Sequence, residues 1–306
     1  MLWYSVKRFF SMIVTLFLIT TLTFFLMHAV PGDPFELDRE TPQAVKENLE
    51  KKYGLDKPLG EQYVIYLKNL VKGDLGESMI YKGQTVNDKI QGGIVPSATI
   101  GVVGIAFGVV IGLVLGIVAA LYRGRGLDYV VILAAIIGVS IPSFVFGSLI
   151  QYVFGVNLRV LPVAGWGTLA CAIAPVTAAT MGNIAFFARM TRTSMLDQLG
   201  QDYVTTATSK GLSRGEVVRK HVLRNSLLPL VTSVGPMTAG AFMGSFVIEK
   251  IFDIPGLGQH LVLAIQNNDY MMIMGLTVFF AALSVFFLFL GDLLYGVVDP
   301  RIRIDA

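Results

Sequence analysis

The chain has 306 residues, 54% of them hydrophobic and only 15% charged, with a formal net charge of +3. Soluble domains carry about 25% charged residues, so this deficit, with the long apolar runs, points to an integral membrane protein and away from a water-soluble one. Cys171, the single cysteine, lies inside an apolar run and excludes a disulfide framework or a cysteine metal site, while so small a net charge gives no argument for nucleic acid.

A bilayer core needs roughly 20 mostly apolar residues per helix. The first candidate is 9–30 (FFSMIVTLFLITTLTFFLMHAV), preceded by Lys7 and Arg8. Its apolar core is longer than the roughly 7–15 residues of a signal peptide. PGDP at 31–34 is not a small-x-small cleavage site, so a retained anchor is expected.

Residues 31–96 form a segment outside the membrane. Thr41-Pro42 reads as an N-cap followed by proline at the first helical position, with that helix ending near Gly54. A second helix is expected after Pro58, with Tyr63, Tyr66, Leu67, Leu70 and Val71 at helical spacing and GDLGES (73–78) ending it. About 65 residues without cysteines are not expected to fold independently. The segment reads either as a lid packed on the outer ends of the spans or as a dock for an external partner.

Five more spans are expected at 97–122, 129–156, 169–188, 227–248 and 271–291. The third contains Pro142 in GVSIPSFVFG, which predicts a kink or a broken helix. The fifth carries Gly235-Pro236, then small residues at Gly240, Ala241, Gly244 and Ser245 that allow close helix contact. The expected organisation is thus a tail and first helix (1–30), an outer segment (31–96), a five-helix membrane domain (97–298) with a connecting loop at 189–226, and a short tail (299–306).

Lys7, Arg8, Arg123, Arg125, Arg301 and Arg303 fall on one side, with Arg189, Arg192, Lys210, Arg214, Arg219, Lys220 and Arg224. The opposite short loops offer Arg159 and Lys250. Basic short loops stay cytoplasmic, so both termini and the loop 189–226 are expected there.

No GxxxxGK[ST] phosphate loop is present, and His28, His221 and His260 show no metal-ligand spacing. No paired carboxylates, GxSxG or HExxH appear, so no hydrolase machinery is visible. The spans are nearly free of the ionisable groups that ion-coupled transporters carry. Asp292 is the main exception and is expected to pair with Arg189 or Arg192. The chain reads as a conduit whose energy comes from another subunit or from a gradient.

The polar stretch 202–229 (DYVTTATSKGLSRGEVVRKHVLRNSLLP) is full of helix signals. Asp202 reads as the cap of a short helix, Lys210 falls in its last turn, and Gly211 suits the left-handed position beyond it. Ser213 to Glu216 fits the capping box S-x-x-E, opening a second helix with Val217, Val218, His221 and Val222 on one face. A two-turn helix is marginal alone. It is either an ordinary solvated loop or an element that seats in a groove of a cytoplasmic partner.

This stretch resembles the cytoplasmic coupling loop of ABC-importer permeases, the EAA motif. Of the general pattern, Ala207, Gly211 and Leu223 match. Thr206, Ala207, Lys210, Gly211, Leu212, His221, Leu223, Arg224, Asn225, Leu227 and Pro229 fit the variant in the dipeptide/oligopeptide/nickel permease family. PGDP, YGLDKPL (53–59), GDLGES, SIPSF (140–144), LPV (161–163), ARMTRTSM (188–195), EKIFDIPGLG (249–258), DY (269–270) and DPR (299–301) resemble family landmarks in family order. YKGQ (81–84), SFVIEKIF and IMG lean the likeness toward the oligopeptide member.

The resemblance implies an all-α, six-helix type I ABC importer permease in a bacterial cell membrane. It implies a second homologous permease, two cytoplasmic ATP-binding subunits and an extracytoplasmic substrate-binding protein as partners, with a peptide as substrate. ATP and Mg would sit on the partner subunits, with no cofactor on this chain. Thr205, Thr206, Ala207, Lys210, Gly211, Leu212, Ser213 and Glu216 would couple to the ATPases. Candidates for the translocation path are Ser140, Pro142, Ser143, Met237, Gly240, Met243 and Gly244, with helix packing as the equal alternative for each. The competing readings are a gradient-driven channel or secondary transporter, a scaffold without a conduit, and, within the family, a nickel or haem permease.

Overall fold

The structure is a computed structural model in which residues 2–29, 53–81 and 83–298 are described. PGDP, the helix expected from Thr41 up to residue 52, DPR, Arg301 and Arg303 lie outside the described residues. All regular structure among the described residues is helical, apart from an isolated antiparallel bridge between Glu77 and Thr85.

Helix α1 spans Leu2–Ala29 and α2 spans Leu59–Val71, beginning directly behind Pro58 as expected. α2 packs on the outer end of α1 and on the last helix, where Phe24, Tyr66, Met271 and Met274 share a buried cluster. Two polar contacts fix it there: Thr21 Oγ1 to the Tyr63 hydroxyl at 2.6 Å, and His28 Nε2 to Gln62 Oε1 at 3.1 Å.

α3 spans Val86–Leu121, eleven residues longer at its start than the span expected from Ser97. Pro96 suggests a boundary, yet a full capping box between Thr85 and Asp88 sets the start and the helix runs through the proline. At 1.5 Å per residue it is about 54 Å long, so it extends well beyond the roughly 30 Å hydrocarbon core.

α4 (Gly126–Ser140) and α5 (Ser143–Ile150, continuing as a π-helical turn Gln151–Asn157) meet at the break before Pro142 and are bent by 96°. Of the expected kink or broken helix, the structure shows the break. α6 spans Leu169–Leu199, capped by Thr168, and continues as an unbroken helix beyond the expected end at Ala188.

After the loop described below come α10 (Leu228–Phe242), α11 (Phe246–Ile251), α12 (Leu257–Gln266) and α13 (Tyr270–Val298). The span expected as continuous over 227–248 is thus split. Gly244 adopts φ +79 and ends the helix, and α11 starts just beyond it.

By length and apolarity the described residues hold four membrane-crossing helices, α1, α3, α6 and α13, and a fifth if the bent α4–α5 pair is one span. The α10 helix, at fifteen residues, is about 22 Å long and too short to be counted with them. Large apolar side chains on the outward surfaces, such as Phe10, Leu26, Tyr129 and Val130, are more than 60% exposed. Such a surface suits lipid or a partner subunit, not water.

The centre of the fold is the pairing of α3 with α6. Gly104, Gly108, Gly112 and Gly116 recur every four residues and meet Ala179, Asn183, Phe187 and Thr191, spaced likewise on α6. A Cβ built on Gly108 would stand 2.3 Å from Asn183 Cβ, and one on Gly112 would stand 2.7 Å from Phe187 Cβ. Lipid chains are as apolar as leucine, so helices in a bilayer associate through such close backbone contact.

Candidate functional site

The connecting loop grows directly out of α6. Helix α7 spans Asp202–Ser209, followed by α8 (Arg214–Val217), a π-helical turn (Val218–Val222) and α9 (Leu223–Ser226), which leads into α10. Helix, glycine turn and helix stand as the sequence implies. Gln201, not Asp202, is the N-cap residue, and no side chain caps that end. Asp202 instead occupies the first turn, where its charge complements the helix dipole.

Gly211 closes the turn with φ +84, its N–H donating to Thr208 O at 3.0 Å. The next residues form a complete capping box. Glu216 N–H donates to Ser213 Oγ at 3.4 Å, and Ser213 N–H donates to Glu216 Oε2 at 3.2 Å. The Ser213 hydroxyl and backbone, with Lys220, hold the Glu216 carboxyl below its usual range.

One side of this two-helix unit is anchored. Ala207, Val217 and Val222 are buried with Ala120 of α3 and Met195 of α6, and Val204 and Leu212 pack against them. Val217 and Val222 are five residues apart, and the wider π-helical turn lets both point into this cluster. His221, expected on the same face, is only half-buried. Tyr203 ties the two arms together, donating to Gln198 Oε1 at 2.6 Å and accepting from Asn225 Nδ2 at 3.3 Å.

The other side is bare. Thr205, Thr206, Lys210, Gly211 and Ser213 are all exposed, and Thr206 and Thr208 spend their hydroxyls on carbonyls of their own helix. The unit is therefore a firmly seated, polar knob joined through continuous helix to α6.

Two ion pairs differ from expectation. Asp292 pairs with Arg8 at 3.1 Å, because α1 packs alongside α13 and brings their basic-side ends together. Arg192 is taken by Asp128, a buried carboxylate at the start of α4 that sequence reasoning missed. Arg192 Nε and Nη2 donate to its two oxygens at 2.6 and 2.9 Å, and Gly124 N–H adds a third bond at 2.9 Å. This bidentate clamp locks α4 to α6 just above the knob. Arg189 is exposed.

Of the path candidates, Ser143, Met237, Gly240 and Gly244 come together around a cavity of about 270 Å³ between α3, α5, α6 and α10. Ser140, Pro142 and Met243 do not line it. Ser140 and Pro142 sit at the α4–α5 break, and Met243 turns toward α13, where its sulfur accepts from Ser284 Oγ at 3.7 Å. Gly101, Asn183 and Ser245 also line the cavity. Asn183 was legible as an amide inside an apolar run, the kind of residue that marks a site in a membrane helix.

Behind Gly244, at the end of this cavity away from the knob, stands Glu249, which is fully buried. Its Oε1 accepts from Ser97 Oγ at 2.7 Å, and its Oε2 accepts from Gln259 N–H at 2.8 Å. Ser97 in turn accepts from Leu257 N–H at 2.8 Å. Nearby, Asp269 accepts from the Ser78 hydroxyl and from the Met79 and Met272 N–H groups. GDLGES and DY, far apart in sequence, thus meet through Ser78 and Asp269, while EKIFDIPGLG is joined to the α3 helix through Glu249 and Ser97.

Residues 112–304 match the family described as the binding-protein-dependent transport system inner membrane component, and residues 1–82 match its N-terminal counterpart. The chain belongs to this family. Among curated permeases, it is 45% identical to the dipeptide transport system permease protein DppB of Bacillus subtilis, over 98% of both chains. It is 41% identical to DppB of Lactococcus lactis subsp. cremoris, over 98% of this chain and 99% of the relative. It is also 41% identical to the oligopeptide transport system permease protein OppB of Haemophilus influenzae, over 99% of this chain and all of the relative.

Solved structures show the same fold. A chain of the MetNI methionine ABC transporter aligns with a TM-score of 0.55 at 22% identity, covering 68% of this chain and 94% of that one. A chain of an amino acid ABC transporter crystallised with histidines gives 0.53 at 14% identity, covering 77% and 98%. The all-helical permease architecture is thus shared well beyond recognisable sequence likeness.

Proposed function

We propose that this permease forms, with a second homologous permease, the membrane path of an ATP-driven importer for dipeptides or oligopeptides. The knob at 202–216 seats in cytoplasmic ATP-binding subunits, and an extracytoplasmic binding protein delivers the peptide. The basic face is cytoplasmic in this reading. Counting α4–α5 as one bent span and α10–α11 as one split span gives six crossings.

The observation that carries the reading is the knob: anchored on α3 and α6 by Ala207, Val217 and Val222, yet presenting only polar groups outward. A partner that moves it moves α6 and, through the Asp128–Arg192 clamp, α4. ATP is bound and hydrolysed on the partner subunits. Peptides share a backbone and differ in side chains, which suits a weakly polar passage such as the cavity lined by Ser143, Met237, Gly240 and Gly244. Its Asn183 amide adds one group able to hydrogen-bond a passing peptide bond.

Gly211 provides the test. Nothing lies within 4 Å of a Cβ built there, so Gly211→Leu costs mainly backbone strain at φ +84, on the order of 1–2 kcal/mol. That is enough to distort the knob but not to unfold the chain. The reconstituted transporter carrying Gly211→Leu is expected to hydrolyse ATP without the matching peptide uptake. Normal uptake per ATP by an assembled variant would overturn the coupling assignment.

A further inference from the structure

Beside the knob, on the same basic face, an open groove of about 790 Å³ runs between the turn joining α3 to α4 and the start of α8. Its floor is apolar, with Leu121, Leu196, Leu199 and Val218 half-buried along it. Its rim carries Arg123, Arg125 and Arg214, all exposed, and no acidic residue lines it.

The three guanidinium groups are only partly balanced from within: Asp128 acts on Arg123 through space, without closing an ion pair. Among the described residues none of them closes an ion pair. Asp128, the acid closest to the turn, is already committed to Arg192 and the Gly124 N–H. Glu216 is committed to Ser213 and Lys220. Arg214 makes a single long contact, from Nη2 to the Leu121 carbonyl at 3.5 Å. Like charges around one concavity repel, and an anion placed among them removes that cost.

The groove also lies at a telling height. It begins where the apolar run of α3 ends, at Leu121, and the next residue is an exposed tyrosine, Tyr122. Tyrosine at the end of a membrane helix marks the headgroup level. On α4 beside it, Leu127, Tyr129 and Val130 expose large apolar surfaces of the kind that face lipid. A cationic rim over an apolar floor, opening at the bilayer interface, matches an amphiphile with an anionic head. Basic pockets between membrane helices on the cytoplasmic side bind such headgroups.

We propose that this groove is a binding site for one anionic phospholipid. The phosphate sits among Arg123, Arg125 and Arg214, and the first methylenes of a chain lie along Leu121, Leu196 and Leu199. Bound there, the lipid bridges the α3–α4 turn to the base of the knob. The proposal requires that the chain is embedded in a bilayer and is independent of the assignment of substrate; because Arg214 belongs to the knob, the lipid lies at the border of the proposed ATPase contact.

The experiment is to purify the intact transport complex in mild detergent from membranes containing phosphatidylglycerol and phosphatidylethanolamine, and to quantify both retained lipids by mass spectrometry. Arg123→Gln with Arg125→Gln is expected to lower retained phosphatidylglycerol severalfold and leave phosphatidylethanolamine unchanged. Lysine at both positions is expected to restore it. Millimolar inorganic phosphate, which lacks the chains, is expected not to displace the lipid from the wild-type complex.

Unchanged phosphatidylglycerol in the glutamine variant overturns the proposal. So does complete displacement by inorganic phosphate, which would make the groove a soluble-anion site. Loss of the partner subunits from the glutamine variant with lipid retention intact would make it a protein contact and equally overturn it. Should the double variant fail to assemble, Arg125→Gln alone, in the exposed turn, carries the same comparison.

Discussion

Single buried residues on the side away from the knob carry large structural consequences. Glu249 is fully buried and accepts from the Ser97 hydroxyl and the Gln259 N–H, so the joint between α3 and the α11–α12 turn depends on one side chain. His260, one turn into α12, has no such partner. Burial first, and the nearby Lys89 second, push its pKa down to about 4. The folded state therefore favours the neutral imidazole, and the unfolded chain takes up a proton first as pH falls. The contribution of His260 to stability is complete above about pH 6.5 and is lost progressively between there and pH 4. The thermal unfolding midpoint of the purified protein is expected to decline across that window, and His260→Gln is expected to flatten the slope. An identical slope in wild type and variant would show that another group titrates.

At the scale of elements, the pairing of α3 with α6 decides whether the fold forms. Gly112→Leu must push a side chain into Phe187 Cβ and the Ile184 carbonyl, so the two helices must separate. Overpacking of this kind typically costs 1–3 kcal/mol, and more where backbone blocks the way. A steep fall in the amount of folded chain in the membrane is expected, read by fluorescence-detected gel filtration. Gly215→Ala, on the open surface of α8, is expected to be neutral in the same assay. Which elements the sequence reveals follows from the range of the interactions that make them. The capping box at Ser213–Glu216, the Gly211 turn, the break before Pro142 and the helix behind Pro58 are each set by neighbours within four residues. The true start of α3 was hidden because its first eleven residues are partly polar and lie outside the apolar run, while the Thr85-x-x-Asp88 cap that sets it is a short local signal. The pairing of Asp292 with Arg8 joins opposite ends of the chain, and that of Asp128 with Arg192 spans two helices, so neither is visible until the packing is known. Asn183 stood in plain sight, but its place in the cavity depends on the glycine stripe that brings α3 against it.

For the whole molecule, the decisive property is the asymmetry between its two faces. The face with the knob carries Arg8, Arg123, Arg125, Arg189, Lys210, Arg214, Arg219, Lys220 and Arg224, while the short connections opposite carry Arg159 and Lys250. Moving an arginine or lysine through the centre of a membrane helix costs about 2.5–3.5 kcal/mol on insertion scales. A set of this size is therefore expected to fix orientation during insertion, with the knob's face cytoplasmic. Labelling with a membrane-impermeant maleimide tests this directly. Cys171 is the only cysteine, and replacing it by alanine leaves a blank background. Val71, at the end of α2, is 90% exposed on the face opposite the knob, and Ser209 is exposed on the knob itself. In intact spheroplasts Val71→Cys is expected to label and Ser209→Cys to stay dark. In inside-out vesicles the two are expected to exchange. The orientation also constrains the proposed coupling, since ATP is cytoplasmic and the proposal requires a knob on that side. Labelling of Ser209→Cys from outside would overturn the orientation and, with it, the assignment of the knob as the ATPase contact.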